Sequence, residues 1–358
     1  MTMFTRRSIL KAIGASSLLS SQGLLASKAF AGERDDQLNI LCWEGYNSAE
    51  VLDPYRTLKS ANVKAESATN DPTMVNKLRA GETKVWDLIN VNNPWARKIL
   101  FPEGLILPLD KDEFAPFFDK MLPTFKFPYD WAMSVDGSQL LGMAQRFGPF
   151  NFVVNTDKIS RKSAEEIGWK LFTDPALKGK FAIQESDDWN VAHIFAIAGI
   201  DPYKEHTKDE MDAFAKMSKY IFSNAKFVGD IAAVNQGLVN GEIDAYISGG
   251  TYTASLARAE GLSNIRAISP NKDAYMWVEL TSVVNNPNKT PLAYDFLKYV
   301  QTPEVAHTVA FAEGTFNPVA QMGNKECFNL FTNDELDAIS KAKDRAFGPK
   351  KLKLMDAE

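Results

Sequence analysis

Short apolar runs rich in β-branched residues, each followed by a polar turn and a segment of helical period, recur along the chain and restrict it to an α/β sheet. "LNILCW" (Leu38 to Trp43) reads as a strand, "EGYNS" as a turn, and the helix after it begins near Ser48, whose hydroxyl is placed to cap it. "NVKAESAT" is a second strand. In "NDPTMVNKLRAG" Asp71 reads as the N-cap, Pro72 as the first helical residue and Gly81 as the stop. "VWDLINVN" is a buried strand and "PWARKIL" the next helix. Strands alternating with helices predict a largely parallel sheet, and in such sheets ligands bind outside the carboxyl ends of the strands.

The same grammar restarts at "QLLGMAQRFGPFNFVVN" and continues through "GKFAIQESDDWNVAHIFAIAGI", the Thr207/Glu210 capping box of "TKDEMDAFAKMSKYIF", and "GLVNGEIDAYISGGTYTASLARAEG". A chain of 358 residues, 45% hydrophobic, has room for two such units. "TPLAYDFLKYVQTPEVAHTVAFAEG" adds two helices broken at Thr302-Pro303, and the basic "KAKDRAFGPKKLKLMDAE" reads as a surface helix with a frayed tail.

Residues 1–31 have a basic head, a stretch of apolar and small residues, and Ala29-Phe30-Ala31 as a cleavage signal. Their "TRRSILK" resembles the twin-arginine export motif, with Arg6 and Arg7 as the pair, which sends folded proteins out of the cytoplasm. They hold four basic residues and no acid, so removing them leaves 36 basic and 45 acidic residues, net −9. That sign argues against a nucleic-acid partner. No later run is long and apolar enough to span a membrane, so the expected location is periplasmic. Cys42 and Cys327 have no zinc spacing and read either as a disulfide or as buried thiols.

Catalytic signatures are missing. The three histidines (His193, His206, His307) form no HExxH pair, His193 reads as a packed core residue, and GxSxG, GxxxxGK[ST] and GxGxxG do not occur. The turn "SGGTYT" is either an anion-binding helix start or a plain strand-to-helix turn. What remains is a set of aromatics, amides and acids at strand ends: Trp43, Glu44, Tyr46, Asn93, Trp95, Asp187, Asp188, Trp189, Asn190, Tyr252, Trp277 and Glu279. Aromatic faces attract cations and carboxylates pair with ammonium groups, so gathered in one cleft they suit an organic amine.

Over nearly the whole mature chain, the ordered segments "LCWEGY", "ATNDPTMVNKLRAG", "WDLINVNN", "GMAQRFGPFNFVVN", "LKGKFAIQESDDWN", "GLVNGEIDAYISGG", "MWVELTSVV" and "AYDFLKYVQTPEVA" resemble the spermidine/putrescine-binding proteins of ABC importers, within extracellular solute-binding family 1. The resemblance implies a two-lobed periplasmic-binding-protein fold of type II, with the ligand cleft between lobes joined by crossing segments near residues 145 and 280. Lobe 1 is then 36–147, with 279–312 returning to it, and lobe 2 is 148–278, with 313–358 returning to it. Trp277 and Glu279 match the family's Trp-x-Asp strand that holds an amine end. Asp187 matches a carboxylate of the acidic turn, a role that a one-residue gap would move to Asp188 or Glu185. A further acid of that turn is Asn190 here, a cleft tryptophan is Ser248, and a turn tyrosine is Thr315 or Phe316. Fewer acids favour a shorter diamine, a monocationic amine or a zwitterion over spermidine.

The implied ligand residues are Trp43, Glu44, Tyr46, Asn93, Trp95, Asp187, Asn190, Ser248, Tyr252, Trp277 and Glu279. Arg146 reads as a solvated hinge arginine, or as a carboxylate partner if the ligand is zwitterionic. The expected protein is a non-enzymatic monomer with no cofactor or metal that hands a putrescine-like amine to a membrane permease. Rival readings are the same fold with an amino-acid derivative or ferric iron, an exported enzyme, and a chemoreceptor partner. The iron reading lacks the adjacent tyrosine pair it requires.

Overall fold

The computed structural model describes residues 34–68, 70–247, 254, 257, 261–270, 275–314, 317–339 and 353–354, without the side chains of Asp187, Asp188, Asp337, Ala338, Lys353 and Leu354. The expected signal segment, Ser248, Tyr252, Thr315, Phe316 and most of the basic tail lie outside them.

Two sheets organise the chain. The first contains β1 (Gln37–Trp43), β2 (Asn62–Ala68), β3 (Leu88–Asn92), β4 (Ile106–Leu107) and β5 (Met143–Pro149). It is completed by β11 (Tyr275–Val284) and the two-residue β12 (Lys353–Leu354), in the order β12-β11-β3-β1-β2 with β4 and β5 also on β11. The second contains β6 (Phe152–Asn155), β7 (Phe181–Gln184), β8 (Phe227–Gly229), β9 (Ala245–Ile247) and β10 (Ile265–Ile268), in the order β10-β6-β9-β7-β8. The parallel pairing expected from the alternation holds for β1 with β2 and β3, and for β7 with β8 and β9. Elsewhere the sheets are mixed: β11 runs antiparallel to β3, β4 and β5.

Each sheet has its own apolar core. Leu38, Ile40, Val75, Leu88, Val91 and Phe114 belong to the first cluster, and Phe152, Trp169, Phe172, Phe181 and Ile247 to the second. β5 and β11 lie side by side, and the pair feeds both: Phe147 and Val278 belong to the first cluster, Tyr275, Trp277 and Phe150, the residue just past β5, to the second. The C-terminal part departs from expectation. Val319, Ala320, Met322, Cys327, Phe331 and Ile339 all pack in the first cluster, not the second, because Val319 bridges back to Arg146 on β5 and starts the segment on that side.

Local details show where side-chain chemistry competes with pattern. Helix α1 (Ala49–Lys59) starts after Ser48, but the Ser48 hydroxyl makes no capping bond and is buried without a partner. Helix α2 (Asp71–Arg79) is capped by Asn70, whose side chain accepts from Thr73 N–H, so Asp71 is not the cap. The Thr207/Glu210 capping box is present. Cys42 and Cys327 are both free thiols in buried positions, and burial pushes the Cys42 thiol far above its ordinary value. No helix among the described residues is long and apolar enough to cross a membrane.

Candidate functional site

All ten residues of β11 are buried, Glu279 among them at 4% exposure. A lone carboxylate there would be strongly disfavoured. The register with β5 supplies its partner: Val278 pairs with Phe147 and Leu280 with Ala144, so Gln145 and Arg146 together oppose the single residue Glu279. Such a bulge re-aims side chains locally. Gln145 Oε1 accepts from Thr281 Oγ1 at 2.6 Å, and Arg146 grips Glu279 with both Nε–Oε2 at 3.0 Å and Nη2–Oε1 at 3.2 Å. The Arg146 guanidinium also lies 4.3 Å from the centre of the Tyr46 ring, and the Tyr46 hydroxyl accepts from Arg146 N–H. Arg146 is 3% exposed, not solvated as expected. Its desolvation opposes the cation, but the charge and hydrogen bonds of Glu279, with Glu44 nearby, outweigh it and hold the group protonated.

This pair forms part of the wall of a cavity with about 340 Å³ of empty space, partly open to solvent. Trp43, Glu44 and Asn92 line it from the ends of β1 and β3, with Asn317 beside them. Trp189, from helix α3 (Asp187–Ala198), and Trp277 bring the second cluster's rings to the other side. Trp277 has room only because residue 148 is glycine: a Cβ there would stand 2.7 Å from its ring.

Four of these residues carry a buried polar atom with no hydrogen-bond partner: Glu44 Oε2, Asn92 Oδ1, Asn317 Oδ1 and Trp277 Nε1. Buried polar groups are normally paired, so this concentration is chemically informative. Burial pushes the Glu44 carboxyl up, and Arg146 pulls it back in part. Behind the wall Asp71, 4% exposed, accepts from Trp43 Nε1 and from Asn92.

Of the expected residues, Trp43, Glu44, Trp277 and Glu279 come together on the cavity. Tyr46 lies beneath Arg146, and Asn93, wholly buried, gives way to its neighbour Asn92. Trp95 packs against the first cluster. Asn190 donates to the Gln184 carbonyl at 2.9 Å and leaves the wall to Trp189. Asn92 and Asn317 are lining residues that the sequence did not single out; Trp189 stood among the strand-end aromatics but not among the implied ligand residues, and Arg146 only as the partner of a zwitterion. Among the described residues, no group of three His, Cys, Asp or Glu side chains is placed to hold a metal ion. His193, expected in the core, is 1% exposed against Trp169 and Phe150, and burial lowers its pKa to about 3.

Residues 51–326, more than three quarters of the chain, match the model of a family described as bacterial extracellular solute-binding protein. The chain belongs to this family of bacterial extracellular solute-binding proteins. Among solved structures, this solute-binding protein is similar to the spermidine/putrescine ABC transporter substrate-binding protein PotD of Streptococcus pneumoniae, at 16% identity and a TM-score of 0.70, covering 90% of this chain and 94% of that one. It is also similar to the Tp0655 (TpPotD) lipoprotein of Treponema pallidum, at 13% identity and a TM-score of 0.67 over 87% and 99% of the two chains. A third is the PBP MotA of A. tumefaciens B6 in complex with glucopine, at 14% identity and a TM-score of 0.65 over 89% and 94%. At these identities the likeness is one of fold, the two-lobed α/β architecture of periplasmic binding proteins. No curated protein matches the chain.

Proposed function

We propose that this solute-binding protein captures a small amine in the periplasm, after export directed by residues 1–31, and delivers it to the permease of an ABC importer. The observation that carries the reading is Glu44 Oε2, buried and unpartnered among Trp43, Trp189 and Trp277. A carboxylate within an aromatic enclosure suits an ammonium group, which gains both a counter-charge and ring faces. Glu279, already held by Arg146, contributes field rather than a free contact, which favours a short or monocationic amine. The spermidine/putrescine name of the similar Streptococcus pneumoniae structure agrees with this reading. A second reading, a zwitterion of the amino-acid-derivative class, is favoured by the buried Arg146 cation in the same wall and by the glucopine complex among similar folds.

A thermal-shift screen across putrescine, cadaverine, spermidine, choline-like amines and amino acids tests the proposal. Ligand at about 100 times its dissociation constant adds roughly 2.7 kcal/mol of stability. A shift with amines alone supports the first reading, and a shift with amino acids alone the second. A shift only with sugars, metals or simple carboxylates rules out both.

A further inference from the structure

Asp71 stands at the start of α2, yet its carboxylate is turned inward and receives three donors. Trp43 Nε1 donates to Oδ1 at 2.9 Å, Asn92 N–H to Oδ1 at 3.1 Å, and Asn92 Nδ2 to Oδ2 at 2.8 Å. An ionised carboxylate can only accept, so it obliges the Asn92 amide to turn its NH2 towards Asp71 and its oxygen away. That oxygen has no partner, and Asn92 lines the cavity.

We infer that Asp71, which does not itself line the cavity, is a positioning residue that sets ligand specificity by fixing Asn92 as an acceptor and Trp43 by its indole N–H. The inference rests on the amine reading above, because an acceptor favours a ligand that brings N–H donors. Protonation would reverse the arrangement. A protonated Asp71 must donate its own O–H, and among its three hydrogen-bonded groups the available acceptor is Asn92 Oδ1. Reaching it turns the amide and presents Nδ2 to the ligand instead. One side chain would thus offer acceptor or donor according to the proton on its neighbour.

Burial raises the Asp71 pKa to about 7, against the hydrogen bonds from Asn92 and Trp43, with Glu279 on β11 raising it further. Glu44 beyond β1 and Arg146 on β5 are the other charged groups of that wall, while Lys77 on α2 is turned to Glu66 on β2.

The test uses the mature full chain labelled with ¹⁵N in its indoles, with Trp43 assigned through Trp43→Phe. In the ligand-free protein the Trp43 indole N–H proton should move downfield as pH rises, with a midpoint near 7. The step should vanish in Asp71→Asn and persist in Glu44→Gln. Putrescine affinity, measured by calorimetry, should rise about tenfold from roughly pH 6 to 8 in the natural protein, the size of one charge-assisted hydrogen bond. In Asp71→Asn, whose amide mimics the protonated acid, affinity should be low and flat with pH. An indole signal that does not titrate, or that titrates equally in Asp71→Asn, overturns the inference. Because the indole arm needs no ligand, failure of putrescine to bind sinks only the amine reading.

Discussion

On the side of the first sheet the cavity wall carries Glu44, Glu279, Arg146, Asn92 and Asn317 beside the ring of Trp43, whereas on the side of the second it presents only the rings of Trp189 and Trp277. Both walls are wholly or partly buried, but they meet the cost of burial differently. The second wall buries ring surface, with Trp189 set edge-on to Phe150, 5.4 Å between centroids, and gains from leaving water. In the first wall, desolvation penalises each charge, and only one acid is fully compensated. Glu279 has both oxygens on Arg146, while Glu44 keeps one oxygen unpartnered. A permanently satisfied pair sets the field and geometry, and an unsatisfied group is left to read the solute.

The sharpest break of this contrast is Arg146→Met. It leaves Glu279 buried and unpaired, and should lower unfolding stability by about 3–5 kcal/mol in urea denaturation. Removing both charges with Arg146→Met/Glu279→Leu should recover most of that loss, because neither desolvation penalty remains. If single and double variants are equally unstable, the wall is held by packing on Tyr46 and not by the ion pair. The aromatic side is broken by Gly148→Ala, whose Cβ would stand 2.7 Å from Trp277. Overpacking of this kind should cost about 1–3 kcal/mol. Trp277→Leu in the same chain should relieve it, which melting curves of the two variants will show.

The two walls also differed in how far their residues could be read in advance. Strands β1, β2 and β3 were legible because apolar alternation and flanking turns are local, and the Thr207/Glu210 box because its spacing is self-contained. Trp43, Glu44 and Trp277 followed from lying at strand ends or in the matching strand of a resembling family. Arg146 did not, because its burial depends on Glu279, 133 residues away, and on a bulge that exists only in the register of two strands. Asp71 looked like a cap for the same reason. Asn70 and Asp71 are equally able to cap, and the choice was made by Trp43 and Asn92, which only the fold brings to Asp71. Nor did the pattern after residue 313 say which core it joins, since a helix-period apolar stretch fits either cluster.

Glu44→Gln should change folding least and function most. Its carboxyl is raised by burial, and a raised folded pKa means that the native state holds its proton more tightly than the unfolded chain. The associated stabilisation is present below the ordinary value of 4.5 and is lost as pH rises through the elevated folded value. At neutral pH the substitution therefore removes a charge that works against folding, and the ligand-free melting temperature should stay the same or rise slightly. An amine ligand, which needs the ionised form, should bind more weakly as pH falls through that same value in the natural protein. In Glu44→Gln its affinity should drop by the equivalent of about 2–5 kcal/mol, the range for truncating a buried charge partner. Calorimetry on both proteins over the acidic range checks this. Equal amine affinity in the two would move the reading group from Glu44 to the other wall.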